Sequence, residues 1–202
     1  GFGAAPQAGF PGEASGRLRP YKNWRPIEQA TMSFGHGISV SLLQLARAYM
    51  VFANDGEIKP LSLIRSDMPR AGTRVFKVET SRAVRDMLEM AVQPGGTAPA
   101  AQVRGYRVAG KTGTAHKLEG RGYAASKYVS SFVGFAPATN PRLIIAVMID
   151  EPSAGQYYGG LVAAPVFSQV MSGSLRILGV APDAPTNHLV LPADLPPVKE
   201  EV

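Results

Sequence analysis

The 202-residue chain has no cysteine, which excludes a disulfide scaffold, a thiolate zinc site and thiol catalysis. No apolar run approaches the length of a membrane span or of a signal-peptide core. The three histidines, His36, His116 and His188, lie far apart and lack metal-ligand spacing, so neither a metal nor a cofactor is expected. The net charge is +6, yet no block of like charges and no basic stripe interleaved with aromatics occurs, so nucleic acid is not an expected partner. Internal repeats are absent too, which excludes a solenoid. The chain opens on Gly1 rather than Met. The expectation is a piece of a longer protein whose export or anchoring segment lies upstream.

What is present reads as a folded protein. With 45% hydrophobic and 18% charged residues, the chain can bury one substantial core. Residues 1–37, rich in Gly, Pro and Arg, show no sustained period and are expected to form an irregular surface segment. From Ser39 a helical stripe follows, with Leu42, Leu45, Ala46, Tyr49, Phe52 and Ala53 on one face and a stop at Asn54-Asp55-Gly56. Residues 57–66 form a short extended piece that Pro60 confines to an edge. Thr80 is positioned to cap a second helix, with Val84, Met87, Leu88 and Ala91 as its buried face. Extended runs at 106–114, 128–136 and 142–149 suggest an antiparallel meander. A polar loop joins the first two of these runs, and the last is apolar without alternation, so both faces of the sheet need helices. A final helix is expected at 162–178, with Phe167, Val170, Met171, Leu175 and Leu178 in its core face and Gly179 as its stop. The expected division is a domain over 1–182 and a flexible Pro-rich tail over 183–202.

The chemically loaded segment is Lys111-Thr112-Gly113-Thr114. On a strand, alternation sends Thr112 and Thr114 to one face and Lys111 to the other or to the edge. Gly113 removes the side chain that would block a substrate backbone from lying alongside. Two hydroxyls can hold a carboxylate, and the Thr114 N–H can donate to a developing oxyanion. Taken alone, the tetrapeptide fits an ordinary edge strand equally well. His116 follows the motif and reads either as a groove residue or as an ordinary loop histidine.

Several ordered blocks resolve the ambiguity: Phe10-Pro-Gly-Glu13, Ser33-Phe-Gly-His-Gly-Ile-Ser-Val40, Gly105-Tyr-Arg-Val-Ala-Gly-Lys-Thr-Gly-Thr-Ala115, Ser131-Phe-Val-Gly-Phe-Ala-Pro137, Ile149-Asp-Glu-Pro152 and Tyr157-Tyr-Gly-Gly160. Together they give a chain that resembles, up to Pro182, the transpeptidase domain of class B penicillin-binding proteins, in particular the septal cell-division transpeptidase of Gram-negative bacteria. The resemblance implies an α/β (α+β) fold of the penicillin-binding/β-lactamase type: an antiparallel sheet with helices on both faces, incomplete at its N-terminal side. It implies acyl transfer at the D-Ala-D-Ala end of a peptidoglycan stem peptide, with β-lactams trapping the acyl-enzyme. Lys111 and Thr114 would be catalytic, Lys111 through its charge and Thr114 through half of the oxyanion hole. Thr112, Gly113 and Thr114 would bind substrate, with Tyr128, Tyr157 and Tyr158 as a candidate aromatic wall. It also implies a place on the periplasmic face of the inner membrane, and other division proteins as partners.

One departure matters. The chain contains no Ser-x-x-Lys and no Ser-x-Asn, the other two motifs of such a site. Tyr21-Lys22-Asn23 has a Tyr-x-Asn form but reads as a surface decoy. The 202 residues alone are therefore expected not to be acylated, and to depend on the upstream part of the same domain. Without that part's strands, the last strand of the meander is expected to leave an open edge. The alternatives are a non-catalytic binding module with this fold, or a β-lactamase or carboxypeptidase relative.

Overall fold

The computed structural model describes residues 1–65, 67–68, 70–120 and 122–184. In chain order it contains α1 (Pro26–Met32), α2 (Leu42–Ala53), β1 (Glu57–Ile58), β2 (Thr73–Arg74), α3 (Val78–Met90), β3 (Ala109–Glu119), β4 (Gly122–Ala136), β5 (Leu143–Asp150), α4 (Gly159–Val162) and α5 (Ala164–Ile177). Short 3-10 turns occupy Tyr21–Asn23 and Pro99–Ala101.

The central element is the antiparallel sheet β3-β4-β5. Side chains alternate across it, and each face has its own core. On one face Phe132, Leu143, Ile145, Val147 and Ile149 pack with Phe167, Met171 and Leu175 of α5. On the other, Ala109, Phe135 and Ile144 meet Tyr49 and Phe52 of α2 and Leu88 of α3. The register agrees with this division, since Phe132 faces Val147 and Phe135 faces Ile144 across the ladder. Helices on both faces of the meander are what the unbroken apolar run of β5 required.

Two strand glycines make the first core possible. A Cβ on Gly110 would lie 2.4 Å from the Phe132 ring, and one on Gly134 would lie 2.9 Å from the Phe132 ring and 3.1 Å from the Phe167 ring. Their absence lets the two rings meet edge to face, with centroids 4.7 Å apart.

Several expected details need correction. The strands β3 and β4 run on to Glu119 and Gly122, which pair across the ladder, so most of the expected polar loop is strand. Residues 1–37 include a helix, α1, which starts at Pro26 and uses Glu28 to accept the Arg25 N–H at 2.8 Å. The second expected helix starts before Thr80, with Lys77 at its N-cap. Met87 is 65% exposed, and the small Ser81 is buried in its place, donating to Val51 O at 2.9 Å where α3 crosses α2. Val170 on α5 (47%) and Leu178 at its C-cap (59%) face outward. Asp183 accepts from the Arg107 N–H at 2.7 Å and from the Thr139 hydroxyl at 2.7 Å. The fold thus extends to at least this residue, and the remainder of the expected tail, 185–202, lies outside the described residues.

A buried polar side chain organises the N-terminal segment. Gln44, 3% exposed, donates to Ala4 O at 2.8 Å and Ser15 O at 2.9 Å, while its Oε1 accepts the Ser41 N–H at 2.8 Å. Ser41 returns the bond by accepting from Gln44 N at 3.2 Å, which completes a capping box at the start of α2.

Candidate active site

The Lys-Thr-Gly-Thr segment lies in the first half of β3, which among the described residues pairs with β4 on one side only. Thr112 stands opposite Phe132 and Thr114 opposite Ser130. Both hydroxyls therefore lie on the face of the sheet that carries α4 and α5. Lys111, opposite Val133, starts on the other face. Its ammonium turns round the strand, with Nζ donating to Thr112 Oγ1 at 3.1 Å. Thr112 in turn donates to Thr97 Oγ1 at 3.3 Å. The result is a chain of three polar groups in which a cation adjoins two hydroxyls.

Thr114 is held by the start of α4, because the Gly159 N–H donates to its Oγ1 at 3.0 Å. This contact needs close approach of two backbones. A Cβ on Gly159 would lie 2.3 Å from Ser131 O, and one on Gly160 would lie 2.2 Å from Thr97 O. The two glycines thus seat α4 against the strand.

The three candidate tyrosines come together. Tyr128 sits opposite His116 in the ladder, and the two rings have centroids 4.5 Å apart. Tyr128 stacks on Tyr157 at 4.0 Å, and Tyr157 lies 4.4 Å from Tyr158. The Tyr157 phenol donates to that of Tyr158 at 3.2 Å. Packing within the column, and then the neighbouring Tyr157, hold the Tyr128 phenol above its ordinary pKa. Below, the buried Ser130 donates to the Tyr157 carbonyl and ties the tyrosine loop to β4. Lys117, one residue past His116, spans the sheet to Asp150 and Glu151, both at 2.8 Å, and these two carboxylates push its pKa up to about 12. By contrast, Tyr21-Lys22-Asn23 forms a 3-10 turn with Tyr21 72% exposed.

Residues 1–172 match the family model described as the penicillin binding protein transpeptidase domain. The chain belongs to this family. It is 52% identical over 185 residues to the probable peptidoglycan D,D-transpeptidase PenA of Neisseria gonorrhoeae, a match covering 92% of this chain and 32% of that protein. It is 45% identical over 186 residues to the peptidoglycan D,D-transpeptidase FtsI of Escherichia coli, again covering 92% and 32%. Among solved structures, the apo TP domain of Burkholderia pseudomallei penicillin-binding protein 3 superposes with a TM-score of 0.86 at 56% identity, over 92% of this chain and 56% of that one. The chain spans about a third of the length of these curated relatives and just over half of that solved domain.

Within this penicillin-binding family fold, two supporting residues escaped the sequence reading. Thr97 reaches Thr112 from a loop 15 positions away, and its only local signal is the preceding Pro94-Gly95-Gly96. Ser130 lies in a strand block that was recognised, but nothing local indicates that its hydroxyl braces Tyr157. Among the described residues, no helix is long and apolar enough to cross a membrane.

Proposed function

We propose that this chain is the C-terminal part of a serine D,D-transpeptidase domain that crosslinks peptidoglycan stem peptides in septal wall synthesis and is acylated by β-lactams. In this reading, a serine contributed by the upstream part of the domain attacks the carbonyl carbon of the penultimate D-Ala. The peptide bond to the terminal D-Ala breaks, and that residue leaves with a proton on its amine. An amine of a second stem then attacks the ester and releases the serine.

Thr112 and Thr114 grip the terminal carboxylate, and Gly113 lets the peptide backbone lie against β3. Lys111 supplies positive charge beside them. The Thr114 N–H and the serine's own N–H stabilise the oxyanion. Tyr128, Tyr157 and Tyr158 form an aromatic wall beside the site. The single observation that supports this most is the pair of threonines on one face of β3, where an α4 backbone N–H donates to the Thr114 hydroxyl and the Lys111 ammonium donates to the Thr112 hydroxyl. The same reading places the parent protein at the periplasmic face of the inner membrane, with other division proteins as neighbours.

Fluorescent penicillin tests it, applied to this 202-residue chain and to the longer parent, with mass mapping of the labelled peptide. The expected result is labelling of the parent alone, at a serine outside these 202 residues. Labelling of the chain itself would refute the assignment of the nucleophile. If neither is labelled, the non-catalytic binding module becomes the better reading.

A further inference from the structure

A groove of about 500 Å³ opens directly beyond the Lys-Thr-Gly-Thr segment, lined by Arg17, Arg19, the 35–39 loop, Ala115 and His116. His116 is two positions past Thr114 and so projects from the same face of β3, roughly 7 Å further along the strand at ~3.4 Å per residue. Among the described residues, the lining contains two guanidiniums and two imidazoles, from Arg17, Arg19, His36 and His116, and no carboxylate. The Arg17 guanidinium, with Arg19 held by Glu28 beside it, gives this concave surface a cation that favours an anion.

The walls are tied down. Arg17 and Ser39 exchange backbone bonds at 2.7 and 3.0 Å. The preceding Gly16 admits no side chain, since a Cβ would lie 2.2 Å from Ser39 O. His36 sits between Gly35 and Gly37, both at positive φ (93° and 86°), and its N–H donates to Thr31 O at 3.0 Å. The Arg19 guanidinium is fixed by Glu28 at 2.8 Å. The position of Arg17 is set by its backbone, which leaves the guanidinium to the groove.

We infer that this groove is a subsite for a carboxylate of a stem peptide, bound by Arg17 with Arg19, His36 and His116. The inference rests on the transpeptidase reading and extends it, because it assigns recognition to residues outside the Lys-Thr-Gly-Thr strand. The carboxylate belongs either to the donor stem, ahead of its D-Ala-D-Ala, or to the acceptor stem.

The test uses the full-length protein and two pairs of synthetic stem peptides, one pair of donors and one of acceptors. Within each pair, one peptide carries a free side-chain carboxylate and the other its carboxamide. The ratio of kcat/KM between partners is measured in the wild type, Arg17→Gln and Arg17→Lys, and the ratio cancels any loss of folded enzyme. The wild type is expected to prefer the carboxylate in one pair by roughly fivefold at low salt, the scale of an exposed charge pair. That preference should fall towards one in Arg17→Gln, persist in part in Arg17→Lys, and shrink at high salt. The pair that responds identifies the stem. No preference in either pair, or a preference that survives Arg17→Gln, overturns the subsite. Benzylpenicillin acylation of the wild type is the separate check on the underlying reading: if it fails, the transpeptidase assignment fails with it.

Discussion

A single methyl group separates two glycines of the site. On Gly113 it would meet the Ser131 Oγ at 2.5 Å, the end of a side chain that can rotate away. On Gly159 it would meet two carbonyl oxygens, Ser131 O at 2.3 Å and Gly113 O at 2.7 Å, neither of which can move without shifting a strand. Overpacking against backbone costs about 1–3 kcal/mol. Gly159→Ala is therefore expected to lower the melting temperature and to slow benzylpenicillin acylation of the parent protein, because α4 must retreat and its bond to Thr114 is lost. Gly113→Ala should fold nearly as well as the wild type. Equal acylation rates for Gly159→Ala and the wild type would show that α4 does not orient Thr114. Gly113 stands in the Lys-Thr-Gly-Thr segment that the sequence marks as chemical, and Gly159 in Tyr-Tyr-Gly-Gly, a block that only the family resemblance singles out. Gln44 and Thr97 carry no such mark, because each acts through bonds to atoms 15 to 40 positions away, which a local pattern does not carry.

At the level of elements, the junction of α2 with α3 depends on one arginine more than on its neighbour. Arg85, whose side chain is 11% exposed, donates to Phe52 O at 2.8 and 3.1 Å and to Asp55 at 2.7 Å, and so closes the C-terminal end of α2. A cation there also complements the helix dipole. Arg82, 62% exposed, reaches only Asp55. Arg85→Ala should cost about 1–3 kcal/mol through the carbonyls it abandons, and Arg82→Ala should leave the melting temperature close to that of the wild type. Arg82 and then Arg85 hold the Asp55 carboxyl below its ordinary pKa. A depressed carboxyl stabilises the fold above its unfolded pKa, near 4, and loses that contribution as pH falls through the lower folded value. Asp55→Asn should thus be less stable than the wild type at pH 7, with the gap closing below about pH 4; melting temperatures across that range decide it. Helical period located α2, α3 and α5, but it also placed Met87, Val170 and Leu178 inside. Period reports which residues share a face and not how wide a neighbour covers it, and each of these helices packs only along a narrow stripe. The missed α1 has a different cause, since its seven residues are too few to display a period and it rests on Pro26 and Glu28 at its start.

For the molecule as a whole, the consequential feature is the outer edge of β5. Among the described residues no strand pairs with it on the side away from β4, and from Leu143 to Ile149 it carries no charge. Natural edge strands are usually blunted by lysine, proline or a bulge, and this one has none of these between its ends. The open edge was legible beforehand only because the family resemblance indicated which strands should lie beside β5; the apolar run alone indicated burial, not the identity of the cover. The solved relative contains almost as much domain again as this chain accounts for, and in the proposed reading that remainder shields the edge. The isolated 202-residue chain is therefore expected to self-associate at micromolar concentrations, with sedimentation velocity showing a concentration-dependent shift. Met148, 48% exposed on β5, is the place to intervene. Met148→Lys sets a charge beside the edge without entering either core, and it should return the chain towards a monomer. A wild-type chain that stays monomeric over the whole concentration range, or a Met148→Lys chain that associates equally well, would mean that the edge is already protected, and that the upstream strands are not what covers it in the parent protein.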